Sequence, residues 1–548
     1  MTRLLLAPIA VFTLALVIAC GDDDGDGGAT TAPAAETSAP AATTPSDEVT
    51  RENTLIIATP ELFLSRDPLV GGTTTSSEIN LQIYETPIFW IFEGESVEGG
   101  SGLVQQGDEW EPKLAESVDI SDDGLVYTFH LREGITFYPS GNEMTAADWE
   151  YVFQRALGSP AGFGGYMASQ IGFTQPGRII DDYTYELTLD KPNPNFHYMA
   201  VINSAIIDSA VAKENATAED EWSTEWLNEN TAGTGPYYLK SSGESEIVLE
   251  ANPDYWGDSP YFKRIVYRYV PDLADRVLLL KSGEVDIAYR LSPLEIQDVE
   301  TEDDIQVLSA PSHQIDVLFM NVTAGPTQDQ NVRKAILAAL PYDDIIDSVF
   351  FGKARAYNGI FFDEAPGFLA GPEPVQDLAA AQAFMDQSTY PDGFDVDMLI
   401  RSDSPTNETE ALLIKDALAN VGINVNIVPL ASGDYSAGAA EYSLIIRTNH
   451  AWLSNGIHIG GSYILPTSFF NYSRVAIDEM TTLFGQAFTT DEEAEYAAYE
   501  EMQELYYAQD PIGILARFNQ TWAMSADIQD FTIHELLQPI WAMSSRTQ

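Results

Sequence analysis

The sequence predicts an α/β fold made of more than one large substructure, and three observations predict it. Residues 395–428 read as strand, helix, strand: an apolar run at 395–401, a helical repeat at 408–420, and an alternating run at 423–428 after the stop at Gly422. Residues 233–289 read as two strand pairs, a helix and a further strand. The chain has 548 residues, too many for one ordinary core, and 45% hydrophobic with 11% aromatic residues is enough to pack two or three.

Residues 1–20 read as a targeting segment, with Arg3 as its positive end and residues 4–18 as an apolar run too short to span a bilayer comfortably. The tetrad Val17-Ile18-Ala19-Cys20 resembles the bacterial lipobox, which implies cleavage before Cys20 and a lipid anchor on its thiol. An ordinary signal peptide ending near a cysteine is the alternative. Cys20 is the only cysteine, so no intramolecular disulfide and no cysteine cluster for zinc or iron and sulfur can form. Residues 21–52 are rich in Gly, Asp, Thr, Ala and Pro and form an expected disordered acidic tether. The net charge of -58 repels nucleic acid and anionic lipid, which argues against both as partners. It fits either a solvated secreted surface or adaptation to salt.

Folded structure is expected to begin with the buried run at 53–58, which stops at Pro60-Glu61. The Gly- and Thr-rich loop at 71–77 lacks the Gly-x-x-x-x-Gly-Lys-[Ser/Thr] pattern of a phosphate cradle. Asp122-Asp123-Gly124 turns the chain between alternating strands, the second of which runs through 126–132 and continues to 137. His130 lies on that strand and reads as a strand residue, and 146–153 reads as a helix. Gly233, Gly235 and Pro236 make a turn before paired strands at 237–239 and 247–250. The strand at 265–270 leads to a helix capped by Asp272 and stopped by Ser282-Gly283-Glu284.

Residues 310–321 read as one long strand ending at Asn321, where open α/β sheets present ligand-contacting residues; a helix at 332–340 follows. Arg401 at the end of its strand either meets a ligand carboxylate or pairs with Asp403. The buried strand at 442–447 precedes Asn449, His450, Trp452 and Asn455. Trp452, Phe469, Phe470 and Tyr472 supply an aromatic wall for uncharged organic ligands, or pack the lobe. His450 and His458 are a weak metal pair: the chain has six histidines and no i, i+4 pairing, so no metal or other cofactor is expected. A helix at 491–508 and a strand at 510–518 close the pattern.

Several spaced motifs resemble the family 5 extracellular solute-binding proteins, the receptors of bacterial ABC importers for peptides, nickel and opines. They are P-K-L-A-E-S at 112–117 with D-G-L-x-Y-T-F-x-L-R-E-G-I-x-F at 123–137, G-T-G-P-Y at 233–237, N-P-D-Y-W at 252–256, G-E-V-D-I-A at 283–288, and F-x-N with V-R-K-A-I at 319–336. The resemblance implies a periplasmic-binding-protein-like α/β fold of class II, cluster C type: two lobes, two hinge crossings and an extra subdomain in the first lobe. Residues 53–90, 233–313 and 516–548 then build the core of lobe I, 91–232 the extra subdomain and 314–515 lobe II. It places Pro60, Glu61 and Leu62 beside the ligand cleft. Trp452 matches a tryptophan followed three residues later, in peptide-binding members, by an aspartate that holds the peptide ammonium. Asn455 departs from that pattern and removes the charge.

The expected function is capture of a peptide or other small organic solute and its delivery to ABC permease subunits, by a monomer held at the membrane through Cys20. No residue is assigned catalysis, because Gly-x-Ser-x-Gly and His-Glu-x-x-His are both absent. The alternatives are a cell-surface hydrolase using paired acids and a sensor subunit without transport.

Overall fold

The computed structural model describes residues 48–61, 65–70, 74–92, 110–159, 168, 171–197, 200, 204–310, 312–431, 434–435, 438–450, 456–468, 470–534 and 538–547. The targeting segment, Cys20, most of the tether, Leu62, Trp452, Asn455 and Phe469 lie outside them.

Two mixed sheets carry the fold. The first has seven strands in the order Ile305–Ala310, Gln520–Ser525, Ile287–Ala288, Thr54–Thr59, Arg264–Tyr269, Glu246–Ala251 and Tyr237–Ser242. Thr54–Thr59 is parallel to both neighbours, and its Leu55 and Ile57 are fully buried. The second has six strands in the order Ala354–Arg355, Ile512–Phe518, Gln314–Met320, Leu444–His450, Phe394–Arg401 and Ile423–Leu430. Phe394–Arg401 is parallel to both neighbours, and the helix Asn407–Ala419 crosses over to Ile423–Leu430, as the sequence predicts.

Gln314–Met320 is buried on both faces, which suits its apolar run Val317-Leu318-Phe319-Met320, and the one acid within it, Asp316, is buried as well. Ile315, Val317 and Phe319 join one core with Tyr472 and Met502, while Leu318 and Met320 join another under the helices Gln330–Ala339 and Asn407–Ala419. A third sheet of four antiparallel strands is ordered Ala115–Ile120, Val126–Leu131, Thr184–Thr188 and Arg178–Asp181. The helix Ala146–Gly158 packs on it, Trp149 lying 5.1 Å from the Phe129 ring, and this core is continuous with that of the first sheet.

Two expected strands end earlier than their patterns suggest. Leu131 closes the strand at 126–131; Gly134 turns the chain at φ +76°, and Thr136 makes only an isolated bridge to Glu143. The run at 310–321 is divided. Ile305–Ala310 pairs with Gln520–Ser525 in the first sheet, and Gln314–Met320 pairs with Ile512–Phe518 in the second. Ile305–Ala310 is mostly half-buried and Gln314–Met320 almost wholly buried, and apolar residues on both sides of Pro311 make the two read as one run. The chain crosses between sheets here and again at Asn519, between Phe518 and Gln520.

One buried carboxylate ties the sequence motifs together. Glu85, 7% exposed, accepts from Thr234 Oγ1 at 2.9 Å, Tyr255 Oη at 2.9 Å and Trp256 Nε1 at 2.7 Å, and Lys113 Nζ lies 3.4 Å away. Lys113 and Arg132 also sit over the Trp256 ring, at 5.2 and 5.7 Å. Gly233 and Gly235 are required by close approach: a Cβ on either would stand 2.1 or 2.5 Å from the Ile83 carbonyl oxygen at the end of the helix Thr74–Ile83.

A second carboxylate joins the two ends of the described chain. Asp286, 2% exposed, accepts from Arg51 at 2.9 and 3.0 Å, from Arg546 at 2.8 Å and from the Ile56 backbone N–H at 2.8 Å. Elsewhere, burial raises the pKa of both Asp316 and Glu410, which are hydrogen-bonded to each other between strand and helix, so the pair retains a proton.

Glu85→Ala strands three donors and a lysine, and is expected to lower the unfolding free energy by about 3–5 kcal/mol. Urea denaturation checks this, with Glu85→Gln losing less because it keeps one acceptor. A loss under about 1 kcal/mol for the alanine variant would refute the central role of the carboxylate.

Candidate ligand-binding cleft

The strand directions bring a set of polar ends together near the crossings. Thr54–Thr59 and Ile287–Ala288 run parallel, and beyond their carboxyl ends stand Glu61 and Arg290. In the second sheet, Phe394–Arg401 and Leu444–His450 run parallel and end at Arg401 and His450. His450 is registered with Gln314, the first residue of the strand that enters from the crossing. Open α/β sheets place ligands at such carboxyl ends.

Each sheet contributes an ion pair. Arg290 donates to Glu61 at 2.7 Å. Arg290 holds φ +51°, and its carbonyl accepts from Arg276, which also donates to the Val270 and Pro271 carbonyls at 2.9 Å. Arg401 grips Asp403 through two bonds of 3.0 and 2.6 Å. The pairs feel each other. Hydrogen bonding to Asp403 raises the Arg401 pKa, and Glu61 adds a smaller increment; burial opposes ionisation of Asp403, yet Arg401 and, more weakly, Arg290 hold its pKa down.

Three of the six histidines lie together here. Burial pushes His450 down to about 4, with Arg290 contributing. It pushes His458 down to about 3, with His450 contributing, and His313 to about 3, with Arg517 and then His450 contributing. All three are neutral at pH 7. Among the described residues, no group of three or more His, Cys, Asp or Glu side chains is arranged to hold a metal ion.

The strand Leu444–His450 carries the least satisfied side chains. Asn449 is 3% exposed, and among the described residues neither its Oδ1 nor its Nδ2 has a partner; His450 Nε2 is likewise unpaired among them. Arg447 stacks on Phe470 at 4.4 Å and Tyr472 at 5.1 Å and donates to the Tyr472 hydroxyl. Its Nε is buried without a partner. Tyr463 stacks on Phe470 at 5.4 Å, and Tyr435 meets Tyr472 edge-on at 6.4 Å.

Of the residues expected from sequence, Glu61, Arg401, Asn449, His450 and Phe470 are gathered here, with Arg401 committed to Asp403. Asn449 and His450 belong to the strand itself, which runs three residues past its expected end. Trp452 and Asn455 lie outside the described residues. Asn321 is corrected: it stands seven residues from Gln314, roughly 23 Å along the strand at the far end of the sheet. There its Oδ1 accepts from Thr323 N–H at 3.0 Å and Thr323 Oγ1 at 2.8 Å, so its side chain shapes a loop.

Arg290, His313, Tyr435, Arg447 and Tyr463 are absent from the sequence-based set. The carboxyl-end rule applied to Asn321 reaches Arg290, just past the strand Ile287–Ala288, equally well. Arg447 stands out only through the missing partner, which a sequence does not display.

A profile described as "Bacterial extracellular solute-binding proteins, family 5 Middle" matches residues 109–472. The chain is 26% identical over 450 residues to "Probable D,D-dipeptide-binding periplasmic protein DdpA" of Escherichia coli (strain K12), covering 80% of this chain and 85% of that one. It is 26% identical over 439 residues to "Glutathione-binding protein GsiB" of Pectobacterium atrosepticum, covering 77% and 82%. Its fold is similar to that of the periplasmic binding protein DppA from Helicobacter pylori in complex with peptide STSA, with TM-score 0.77 and 24% identity over 90% of this chain and 98% of that one.

The histidines set a pH dependence. Their folded values lie below the ordinary 6.5, so below pH 6.5 the unfolded chain binds more protons, and stability falls as pH falls. His458→Gln is expected to flatten the decline in calorimetric stability between pH 7 and 5, by up to about 1.4 kcal/mol per pH unit. Glu78, which burial raises to about 7, contributes with the opposite sign in both proteins and cancels in the comparison. Identical slopes would show that His458 is not held neutral.

Proposed function

Because this chain belongs to the bacterial extracellular solute-binding proteins of family 5, we propose that it captures a peptide or other small organic solute between its lobes and delivers it to an ABC importer. The observation that carries the site is the Asn449 carboxamide, buried at the end of Leu444–His450 with a donor and an acceptor both unmet. Buried polar groups are nearly always paired, so a ligand is the natural partner. The aromatic rings of Tyr463, Phe470 and Tyr472 supply apolar contact area, and the paired charges of Glu61, Arg290, Arg401 and Asp403 line its edge.

Ligand binding favours the closed arrangement to the extent that a solute touches both lobes better there than when they part. The role is binding and release, without a catalytic step. The relatives with curated names bind D,D-dipeptide and glutathione, which supports a peptide-like solute. We assign lobe I to residues 53–90, 233–313 and 519–548, its extra subdomain to 91–232 and lobe II to 314–518, the expected boundary after residue 515 moving to the crossing at Asn519 because Ile512–Phe518 belongs to the second sheet. Among the described residues no helix is long and apolar enough to cross a membrane. The lipobox-like tetrad supports attachment at the extracytoplasmic face through lipid on Cys20.

Native mass spectrometry of the purified protein is expected to find a bound peptide or small organic solute. Calorimetric titration with that solute should show Asn449→Ala weakening binding by about tenfold; a protein that carries and binds no such solute would overturn the proposal. Metabolic labelling with palmitate is expected to mark the wild-type chain and not Cys20→Ser, and equal labelling would refute the anchor.

A further inference from the structure

We infer that Lys191 and Asn195 of the extra subdomain form a latch on lobe II, outside the cleft, that holds the lobes together before any solute arrives. The inference rests on the two-lobe reading and adds the contact that sets how far the empty molecule stands open.

Both residues follow the strand Thr184–Thr188, next to Phe196, which belongs to the core shared by the first sheet and the four-stranded sheet. Their partners Phe488 and Tyr499 belong to a core of lobe II, and Glu495 lies one helical turn before Tyr499. Asn195 Nδ2 donates to Glu495 Oε1 at 3.2 Å and to the Tyr499 hydroxyl at 3.4 Å, and that hydroxyl donates to the same carboxylate oxygen at 2.8 Å. Asn195 and Glu495 are each 7% exposed and Tyr499 1%. Lys191 Nζ stands 3.1 Å from the centre of the Phe488 ring, where the ring face attracts a cation. The helix Glu492–Tyr507 packs in one core with Ile512 and Ile514 and reaches the strand Ile512–Phe518 through a short turn, so the two run antiparallel. That strand ends at the crossing, and the first turns of the helix, with Glu495, therefore lie at the end of lobe II that faces the cleft. The contact joins the lobes independently of the two backbone crossings.

The seam is built to part. A cavity of about 180 Å³ remains in it, lined by Thr489 and Thr490 from lobe II and by Val118, Tyr127, Pro192 and Phe196 from the subdomain, whereas a permanent core closes such voids. Burial raises the Glu495 pKa, and the bonds from Tyr499 and Asn195 work against that rise, so separation of the lobes returns a half-compensated carboxyl to water. A contact made only when the lobes meet favours that arrangement by its own free energy. The latch is also mechanically tied to the cleft. A Cβ on Gly456 would stand 2.5 Å from the Tyr499 ring, so the backbone there lies directly on the ring. Gly456 opens the short helix Gly456–Ile459 and directly follows Asn455 in the chain. A solute that shifts Gly456 moves the hydroxyl that Asn195 binds.

The test measures the separation of the lobes in the empty protein. Nitroxide labels on Ile179→Cys and Leu412→Cys, two exposed positions, are placed in a Cys20→Ser chain, and native mass spectrometry after exhaustive dialysis verifies that the cleft is empty. Double electron–electron resonance is expected to give one dominant separation for the otherwise unaltered chain. Asn195→Ala is expected to add a longer one, with the closed-to-open ratio about tenfold lower, and Lys191→Ala to act in the same direction. Lys353→Ala, which breaks the exposed ion pair with Glu300 between the lobes, is expected to change the ratio less than about twofold. Lys191→Ala removes only a half-buried side chain, so the test stands if Asn195→Ala fails to fold. Distributions unchanged by both substitutions, or an equal shift in Lys353→Ala, overturn the latch. Failure of the solute-binding reading shows separately, as the absence of any bound solute in the native mass spectrum of the protein before dialysis.

Discussion

The fold turns on the carboxylate of Glu85. A buried carboxylate costs several kcal/mol unless donors surround it, and here they come from sequence positions far apart: Lys113, Thr234, Tyr255 and Trp256. Those residues are the conspicuous letters of three motifs. Gly233 and Gly235 let the backbone press against the Ile83 carbonyl, which brings Thr234 into reach. The motifs recur together because one charge needs them all in one place. Their work is architectural, and they hold the first sheet and the four-stranded sheet in a single core.

That division explains what the sequence disclosed. Local rules served well where the cause was local: Asp272 caps its helix by accepting from the Asp275 N–H at 3.0 Å, and the strand, helix, strand unit at 394–430 follows from periodicity alone. They failed where the cause was distant. The change of sheet near residue 312 is easily read through, because β-forming apolar residues lie on both sides of Pro311-Ser312. Asn321 looked like a site residue because it ends a strand, but the strand is antiparallel to both neighbours, so its final residue points away from the crossings. Glu85 is one buried acid among many, and Arg447 one arginine, held by the Tyr472 hydroxyl and two rings, and only their surroundings distinguish them.

The cleft also shows how a chain of charge -58 seats arginines among its acids. Arginines at the strand ends are held by one acid each, and nearby histidines are kept neutral by burial. The surrounding acidity is not erased at the site. It is met charge for charge, Arg290 by Glu61 and Arg401 by Asp403.

Asp286 has a mechanical meaning. Arg51 at the start of the described chain and Arg546 near its end close on the same carboxylate, which also accepts from the backbone of the central strand of the first sheet. A pull applied through residue 48 therefore reaches Thr54–Thr59 by way of that staple and runs along strands held in parallel register, where many hydrogen bonds share the shear. The second sheet lies off this line of force, joined through the crossings and through side-chain contacts such as Lys353 with Glu300 and Asn195 with Glu495. A pull on the leading end is then carried first by the parallel strands of the first sheet.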